Sequence, residues 1–335
     1  MRLAVLADIH GNLPALEAVI AALERLQPDQ VVLNGDMIIG SPFSSEVIDR
    51  VRSQGWIVVR GNHEFYYLDF GTPRALPGTD DPARWGGLHW LVERLTPAQG
   101  AYLGMLPDEH TFYLPGAEPL RIAHGVPGRN RVGFYPDQPA ASVARELMGI
   151  QEATVISAHT HVQVDRHIRI RADALPNAPV EGNGHDVGRQ HNHHDHNDQT
   201  NHRDNRHWHL INPGSVGLPL NGDPAAQFAI LESVPASEEP GGWRATHIRV
   251  RYDRRPALEA FGTSGLMAAG GVMAELFYWE LATAEQEILR FFRWAREHGF
   301  DLDGNMAAAF DAYTAATQRD VYVRRHDPLY VRDAI

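Results

Sequence analysis

Val31-Val32-Leu33-Asn34-Gly35-Asp36 is the stretch on which the fold turns. The apolar run is too short for a helix and stops on a glycine and a carboxylate, as a buried parallel strand does when it delivers an acid to its carboxyl end. Open α/β sheets build their sites at that end. Four other short apolar runs finish in the same way. Residues 2–7 lead into Asp8-Ile9-His10-Gly11-Asn12, 56–60 into Gly61-Asn62-His63-Glu64, 120–123 into His124-Gly125, and 153–157 into Ala158-His159-Thr160-His161. One such ending is ordinary. Five on successive strands predict loops that converge on a single rim and form a dinuclear metal cage, with Asp36 giving one oxygen to each ion.

The segments between these runs fit the same plan. Residues 13–27 carry Leu13, Leu16, Val19, Ile20, Leu23 and Leu26 on one helical face, with Pro14 tolerated in the first turn. A second helical stretch, 45–54, closes on Gly55 before the next strand, so the order is βαβαβ and the pairing parallel. Residues 70–85 are rich in Pro, Gly and Asp and read as a loop, whereas 87–94 and 96–105 read as helices. From 112 onward strands are expected at 112–114, 120–123, 153–157, 162–170, 209–211, 227–231 and 243–252, with a helix at 142–148. The expectation is two sheets, a parallel-rich one first and a more antiparallel one later.

The chain has 335 residues, enough for one large domain or one domain with an appendage. Its formal charge is -12, with 30 Lys plus Arg against 42 Asp plus Glu, which disfavours general nucleic-acid binding. A small anionic substrate stays compatible, because two divalent ions reverse the field locally. Cysteine is absent, so disulfides, thiolate metal sites and thiol nucleophiles are excluded and the ligands must be His, Asp, Glu, Asn or water. No apolar run approaches the ~18 residues of a membrane span. The first strand begins at Arg2, and the expected location is the cytoplasm.

Residues 181–209 hold eight of the 19 histidines among Asn, Asp, Gln and Arg. Such a composition cannot pack a core, so a solvated, disordered loop is expected; a second reading is a loop that gathers metal and feeds the site. The tail from 262 is helical in texture, broken at Gly270-Gly271, with Thr283 and Gln286 in capping-box spacing ahead of a helix closed by Gly299. Its aromatic content points to packing on the rest of the chain, with a dimer contact or a lid over the site as the other readings.

The chemistry follows from the donors. Asp8, His10, Asp36, Asn62, His124, His159 and His161 offer carboxylate, amide and imidazole groups, a set suited to Mn, Fe, Co, Ni or Zn rather than Mg or Ca. Two such ions can activate a bridging hydroxide and clamp a phosphoryl group. His63, not needed as a ligand, can protonate the leaving oxygen or hydrogen-bond the phosphoryl oxygens.

These motifs, together with Gly35-Asp36 followed by Gly40 and Asn212-Pro213-Gly214-Ser215-Val216-Gly217, resemble the calcineurin-like metallophosphoesterases, and among them the bacterial and archaeal phosphodiesterase branch, over about residues 1–253. The resemblance implies an α/β fold, a four-layer α/β/β/α sandwich, covering 1–262 with the His-rich insertion 181–209, and leaves 263–335 as a helical C-terminal extension packed on it. It gives one ion Asp8, His10, Asp36 and His161, the other Asp36, Asn62, His124 and His159, and makes His63 the catalytic histidine. Asn212 to Gly217 is expected to be a structural turn. Ala158 stands where the family has Gly. The arginine that protein phosphatases carry after their Gly-Asp is missing, since the chain reads Met37-Ile38-Ile39 there. The expected activity is hydrolysis of a small phosphodiester, with cyclic nucleotides and other nucleotide derivatives as the candidate substrates and manganese foremost among the candidate ions. A monoesterase, a phosphoprotein phosphatase and a non-catalytic scaffold are the alternatives, and the oligomeric state is left open.

Overall fold

The computed structural model describes residues 1–171 and 205–331. The chain opens with β1 (Arg2–Leu6), α1 (Leu13–Leu26), β2 (Gln30–Asn34), α2 (Ser44–Gln54) and β3 (Ile57–Val59), followed by α3 (Asn62–Asp69), α4 (Pro82–Val92) and α5 (Pro97–Met105). β4 (Glu109–Phe112), β5 (Leu120–Ala123), α6 (Ala140–Leu147), β6 (Thr154–Ile156), β7 (Val164–Arg171) and β8 (Asn205–Asn212) come next. β9 (Ala226–Ser233) and β10 (Trp243–Val250) precede the helices α7 (Arg255–Thr263), α8 (Leu266–Thr283), α9 (Glu287–Glu297), α10 (Leu302–Thr317) and α11 (Arg319–His326).

Local chemistry sets several of these boundaries. The Asn12 side chain accepts the Ala15 N–H at 3.2 Å and opens α1. Thr96 and Gln99 close a capping box on α5. Asp81 caps α4 with Pro82 in its first turn, so the expected loop 70–85 ends earlier, and α4 kinks at Trp85. The motif at Asn62-His63-Glu64 is the first turn of α3, where the sequence suggested a loop.

The strands form two five-stranded sheets, ordered β10-β9-β1-β2-β3 and β4-β5-β6-β8-β7. Each sheet holds two parallel and two antiparallel pairings. The second sheet is therefore no more antiparallel than the first, contrary to the sequence reading. The reason is α6, which crosses over between β5 and β6 as α1 does between β1 and β2, and a crossover of this kind joins parallel strands.

Alternation along the strands makes the layers. Leu3, Val5, Val32, Ile122, Ile156 and Ile211 meet between the sheets, while Ala4, Leu6 and Leu33 turn to the helices. Val155, Trp208 and Leu210 pack against α6 on the far face. The result is the four-layer α/β/β/α arrangement. The C-terminal helices join the first outer layer: Phe261, Trp279, Phe291 and Tyr313 share one cluster with Leu6, Leu16 and Ile48. Each such buried side chain contributes about 2–3 kcal/mol.

Two tail details differ from expectation. α8 runs through Gly271 with a kink rather than a stop, and α9 starts after Gln286 without a side-chain cap. Thr283 ends α8; its hydroxyl donates to the Trp279 carbonyl and accepts the Glu285 N–H at 3.2 Å, not the Gln286 N–H that the capping box requires. Most of the histidine-rich stretch 181–209 lies outside the described residues. Its last part does not belong to a loop, because His207 and His209 stand on β8.

Candidate metal centre

The seven donors named from the sequence come together at the carboxyl ends of β1, β2, β3, β5 and β6. These are not successive strands of one sheet but facing strands of two, which lets the donors surround a point from both sides. Asp8, His10 and His161 place ligand atoms within 4.8 Å of one another, as do Asp36, His124 and His159, and His10, Asp36 and His63. His124 Nε2 lies 3.1 Å from Asp36 Oδ2 and 3.9 Å from Asp8 Oδ1. Asn62 Oδ1 lies 3.1 Å from His124 Nε2 and 2.8 Å from His159 Nδ1. His10 Nε2 and His161 Nε2 face each other at 3.0 Å.

Three of the rings are held from behind. Nδ1 of His10, His124 and His161 lies 2.7, 2.9 and 2.6 Å from the carbonyls of Ile39, Asn34 and Leu218. A carbonyl can only accept, so each of these Nδ1 atoms carries a proton; in the neutral rings of His10 and His161 this leaves the Nε2 lone pair pointing inward, as imidazole ligands require. Both carboxylate oxygens of Asp8 are buried without a hydrogen-bond partner among the described residues. An orphaned buried carboxylate is costly unless a cation meets it. The donor set therefore fits borderline divalent ions.

The electrostatics agree. Burial raises Asp8 well above the usual carboxylate range. Burial works the same way on Asp36, but the rings of His124 and His63 hold it well below that range. Burial lowers His63 to about 3, and burial with the charge on His124 lowers His159 to about 4. His10 and His161 are also lowered by burial, so these rings are neutral and able to ligate. His124 is the exception: against its burial, Asp36 and Asp8 push it up to about 10. The carboxylates thus draw positive charge to the point where the donors converge.

The backbone at this rim is strained. Asp8, His10, Asp36, His159 and His161 all have positive φ, between 51° and 68°. Left-handed backbone costs a non-glycine residue roughly 1–2 kcal/mol, and such strain persists only where the surroundings enforce it. Ile39, β-branched and at φ 62°, turns its carbonyl toward His10. No sequence pattern signalled this.

Supports beyond the donors hold these loops. Glu64, fully buried, accepts the N–H groups of Asp36, Met37 and Gly61 at 2.9, 2.8 and 2.7 Å. Burial and the charge on Asp36 push its carboxyl up to about 7 against those three donors. The sequence reading gave Glu64 no role, although its place at the third position of α3 is that of a capping glutamate. The turn from Asn212 to Gly217 is structural in a specific sense. The Ser215 hydroxyl donates to Asp8 O, and the Asn212 amide donates to Ala158 O and Thr160 Oγ1, so one turn fixes the loops of both sheets. A Cβ on Gly217 would stand 1.8 Å from Ile9 O, which only glycine avoids.

One expectation needs correction. Asp36 Oδ1 accepts the His63 N–H at 2.9 Å, at the start of α3, while Oδ2 faces the rings of His10, His124 and His63. The carboxylate does not present one free oxygen to each side; Oδ2 is the atom between the two donor groups.

His63 Nε2 lies 3.9 Å from Asp36 Oδ2, and its ring packs between Tyr66 and Phe277 at centroid distances of 5.2 and 6.5 Å. Phe277 comes from α8, so the tail reaches the site. A cavity of about 420 Å³ has His10, Asp36, Asn62, His63, His159 and His161 on its floor. Its walls include Trp85, Leu88, Phe277, Ile288 and Phe292, with Arg84 and Tyr135.

Residues 1–163, which contain all seven donors and His63, match the family model of the calcineurin-like phosphoesterases. No curated protein matches the chain. Among solved structures, a metallophosphoesterase from Sphaerobacter thermophilus is 24% identical, with a TM-score of 0.53 over 81% of this chain and 100% of that one. The hypothetical protein PH1004 from Pyrococcus horikoshii OT3 is 19% identical, with a TM-score of 0.59 over 83% and 97% of the two chains. These two share the fold. The motifs, the two-sheet architecture and the family model agree, and over residues 1–163 the chain is similar to the calcineurin-like phosphoesterases.

Proposed function

We propose that this chain is a phosphodiesterase that works with two borderline divalent ions, manganese foremost. Asp8, His10, Asp36 and His161 would hold one ion, and Asp36, Asn62, His124 and His159 the other. When bound, the pair supplies Lewis-acid charge for the phosphoryl oxygens and lowers the pKa of water.

The chain's own residues do the rest. His63 is kept neutral by burial, so it acts through an N–H rather than as an imidazolium. We place that N–H on Nε2, which faces the floor of the cavity, where it donates to the leaving oxygen as the ester bond breaks. Asp36 Oδ1, engaged by the His63 amide, sets the distance between this ring and the donors. Tyr66 and Phe277 hold the ring from its sides and keep water from it.

The observation that carries the preference for a diester is the cavity. Among the described residues Arg84 is the one arginine in its lining, and it is paired with Asp303, so little fixed positive charge awaits a dianionic monoester. The apolar walls offer room for the second ester group that a diester brings. The test is turnover of a bis-aryl phosphate against its mono-aryl counterpart. Faster hydrolysis of the diester supports the reading; preference for the monoester replaces it with phosphatase chemistry.

A further inference from the structure

Among the described residues, one further group of histidines and carboxylates lies away from this centre. It sits on β7 and β8, at the edge of the second sheet. The two strands pair antiparallel with His167 opposite His209 and Arg169 opposite His207. Side chains alternate along a strand, so 165 and 167 on one strand and 207 and 209 on the other share a single face.

Their rings are close. His167 stacks on His209 at a centroid distance of 4.3 Å and lies 5.1 Å from His207. His167 Nδ1 is 3.0 Å from His207 Nε2, His167 Nε2 is 2.9 Å from Glu239 Oε1, and His209 Nε2 is 2.6 Å from Asp165 Oδ1. Ligand atoms of Asp165, His167 and His209 fall within 4.8 Å of one another. His209 is 1% exposed, and its Nδ1 has no hydrogen-bond partner among the described residues, so this polar ring is buried at a cost that those hydrogen bonds do not offset.

We propose that Asp165, His167, His207 and His209, with Glu239, form a second metal site that takes one divalent transition ion such as zinc. Three imidazoles and carboxylate oxygens are a borderline donor set, poorly matched to Mg or Ca. Two paired strands hold Asp165, His167, His207 and His209 in fixed register, and Glu239 reaches them from the connection between β9 and β10. All five of these donors lie among the described residues, and the sequence carries six further histidines between the two strands, at 185, 191, 193, 194, 196 and 202.

The test separates the face from that segment. In the full-length chain these six histidines are replaced by asparagine, the protein is stripped of metal, and zinc is added with excess removed by gel filtration. Bound zinc is then counted per chain, and the visible spectrum is recorded after loading with cobalt instead. In this background, adding His167→Ala and His207→Ala is expected to remove one zinc per chain and the corresponding part of the cobalt spectrum, with manganese-dependent phosphoester hydrolysis unchanged. An unchanged zinc count overturns the proposal, as does zinc binding beyond the main centre that vanishes with the six substitutions alone. Should the double variant misfold by near-UV circular dichroism, Asp165→Asn, on an exposed side chain, provides the reading: zinc affinity at this site falls at least ~10-fold if the proposal holds and stays the same if it does not.

Discussion

Replacing Gly61 by alanine isolates the placement of Asp36. Gly61 has φ -99° and ψ -174°, an extended conformation open to any residue, so alanine brings no backbone strain there. Its Cβ would, however, stand 2.0 Å from Asp36 Oδ1 and 2.5 Å from Asp36 N. Reaching an ordinary contact of 3.4 Å requires the carboxylate or the α3 turn to move by about 1.4 Å. Both are anchored, Oδ1 by the His63 amide and the two backbones by Glu64. Overpacking of this kind costs about 1–3 kcal/mol of stability, which a domain of this size tolerates. A displacement of about 1 Å in a reacting group costs about 100-fold in turnover. Gly61→Ala is therefore expected to fold, to hold manganese more weakly, and to hydrolyse a bis-aryl phosphate at about 1% of the parent rate or less. Metal content after gel filtration, near-UV circular dichroism and steady-state rates read the three effects. A folded variant with full manganese content and a rate within about threefold of the parent would refute the reasoning.

His63→Ala is expected to keep both ions and lose most turnover, whereas Asp36→Asn loses both; equal metal loss in the two contradicts the roles given, and metal analysis beside rate assays decides. Phe277→Ala is expected to lower kcat/KM for bulky aryl diesters about tenfold and leave a methyl aryl phosphate within about threefold, because the cavity wall grips only the larger group. Glu280 is buried, its Oε1 accepts the Ile288 N–H, and burial pushes its carboxyl from 4.5 up to about 8. The folded state thus keeps a proton that the unfolded chain releases near 4.5, so stability is full below that pH and is lost as pH rises through 8. A rise of that size corresponds to about 5 kcal/mol, and Glu280→Gln should remove this slope between pH 5 and 9 in urea titrations; parallel slopes in parent and variant contradict it. Chelation of the ions is expected to abolish hydrolysis and lower Tm, because Asp8 then stays buried without a cation, and an unchanged Tm argues against ions at that carboxylate.

The strands that frame the centre were legible because each is a short apolar run stopped by residues that cannot continue it, as at Asn34-Gly35-Asp36. The convergence of the candidate donors was legible because they stand directly after those runs. What stayed hidden depends on contacts distant in sequence. Beyond its local cap on Gly61, Glu64 serves amides 28 and 27 residues before it, and the Ser215 hydroxyl reaches Asp8 across 207 residues, so neither of these long reaches leaves a local pattern. The left-handed backbone of Asp8, His10 and His161 is invisible in residue types that seldom adopt it. Phe277 looked like a core aromatic of a helical tail. It lines the cavity because α8 packs along α4 and brings the Phe277 ring to 6.5 Å from that of His63, a relation set by tertiary packing and by no spacing within the helix. β8 was read too short, since the alternating His207, Trp208 and His209 resembled the polar segment before them rather than a strand with one apolar face.

The most direct measurement is hydrolysis of a bis-aryl phosphate by metal-stripped protein before and after manganese is added, with the mono-aryl phosphate alongside. No turnover is expected without metal, with activity restored on the diester by manganese and a slower reaction on the monoester. Manganese bound at Asp8, Asp36 and the surrounding histidines with neither ester hydrolysed would contradict this expectation.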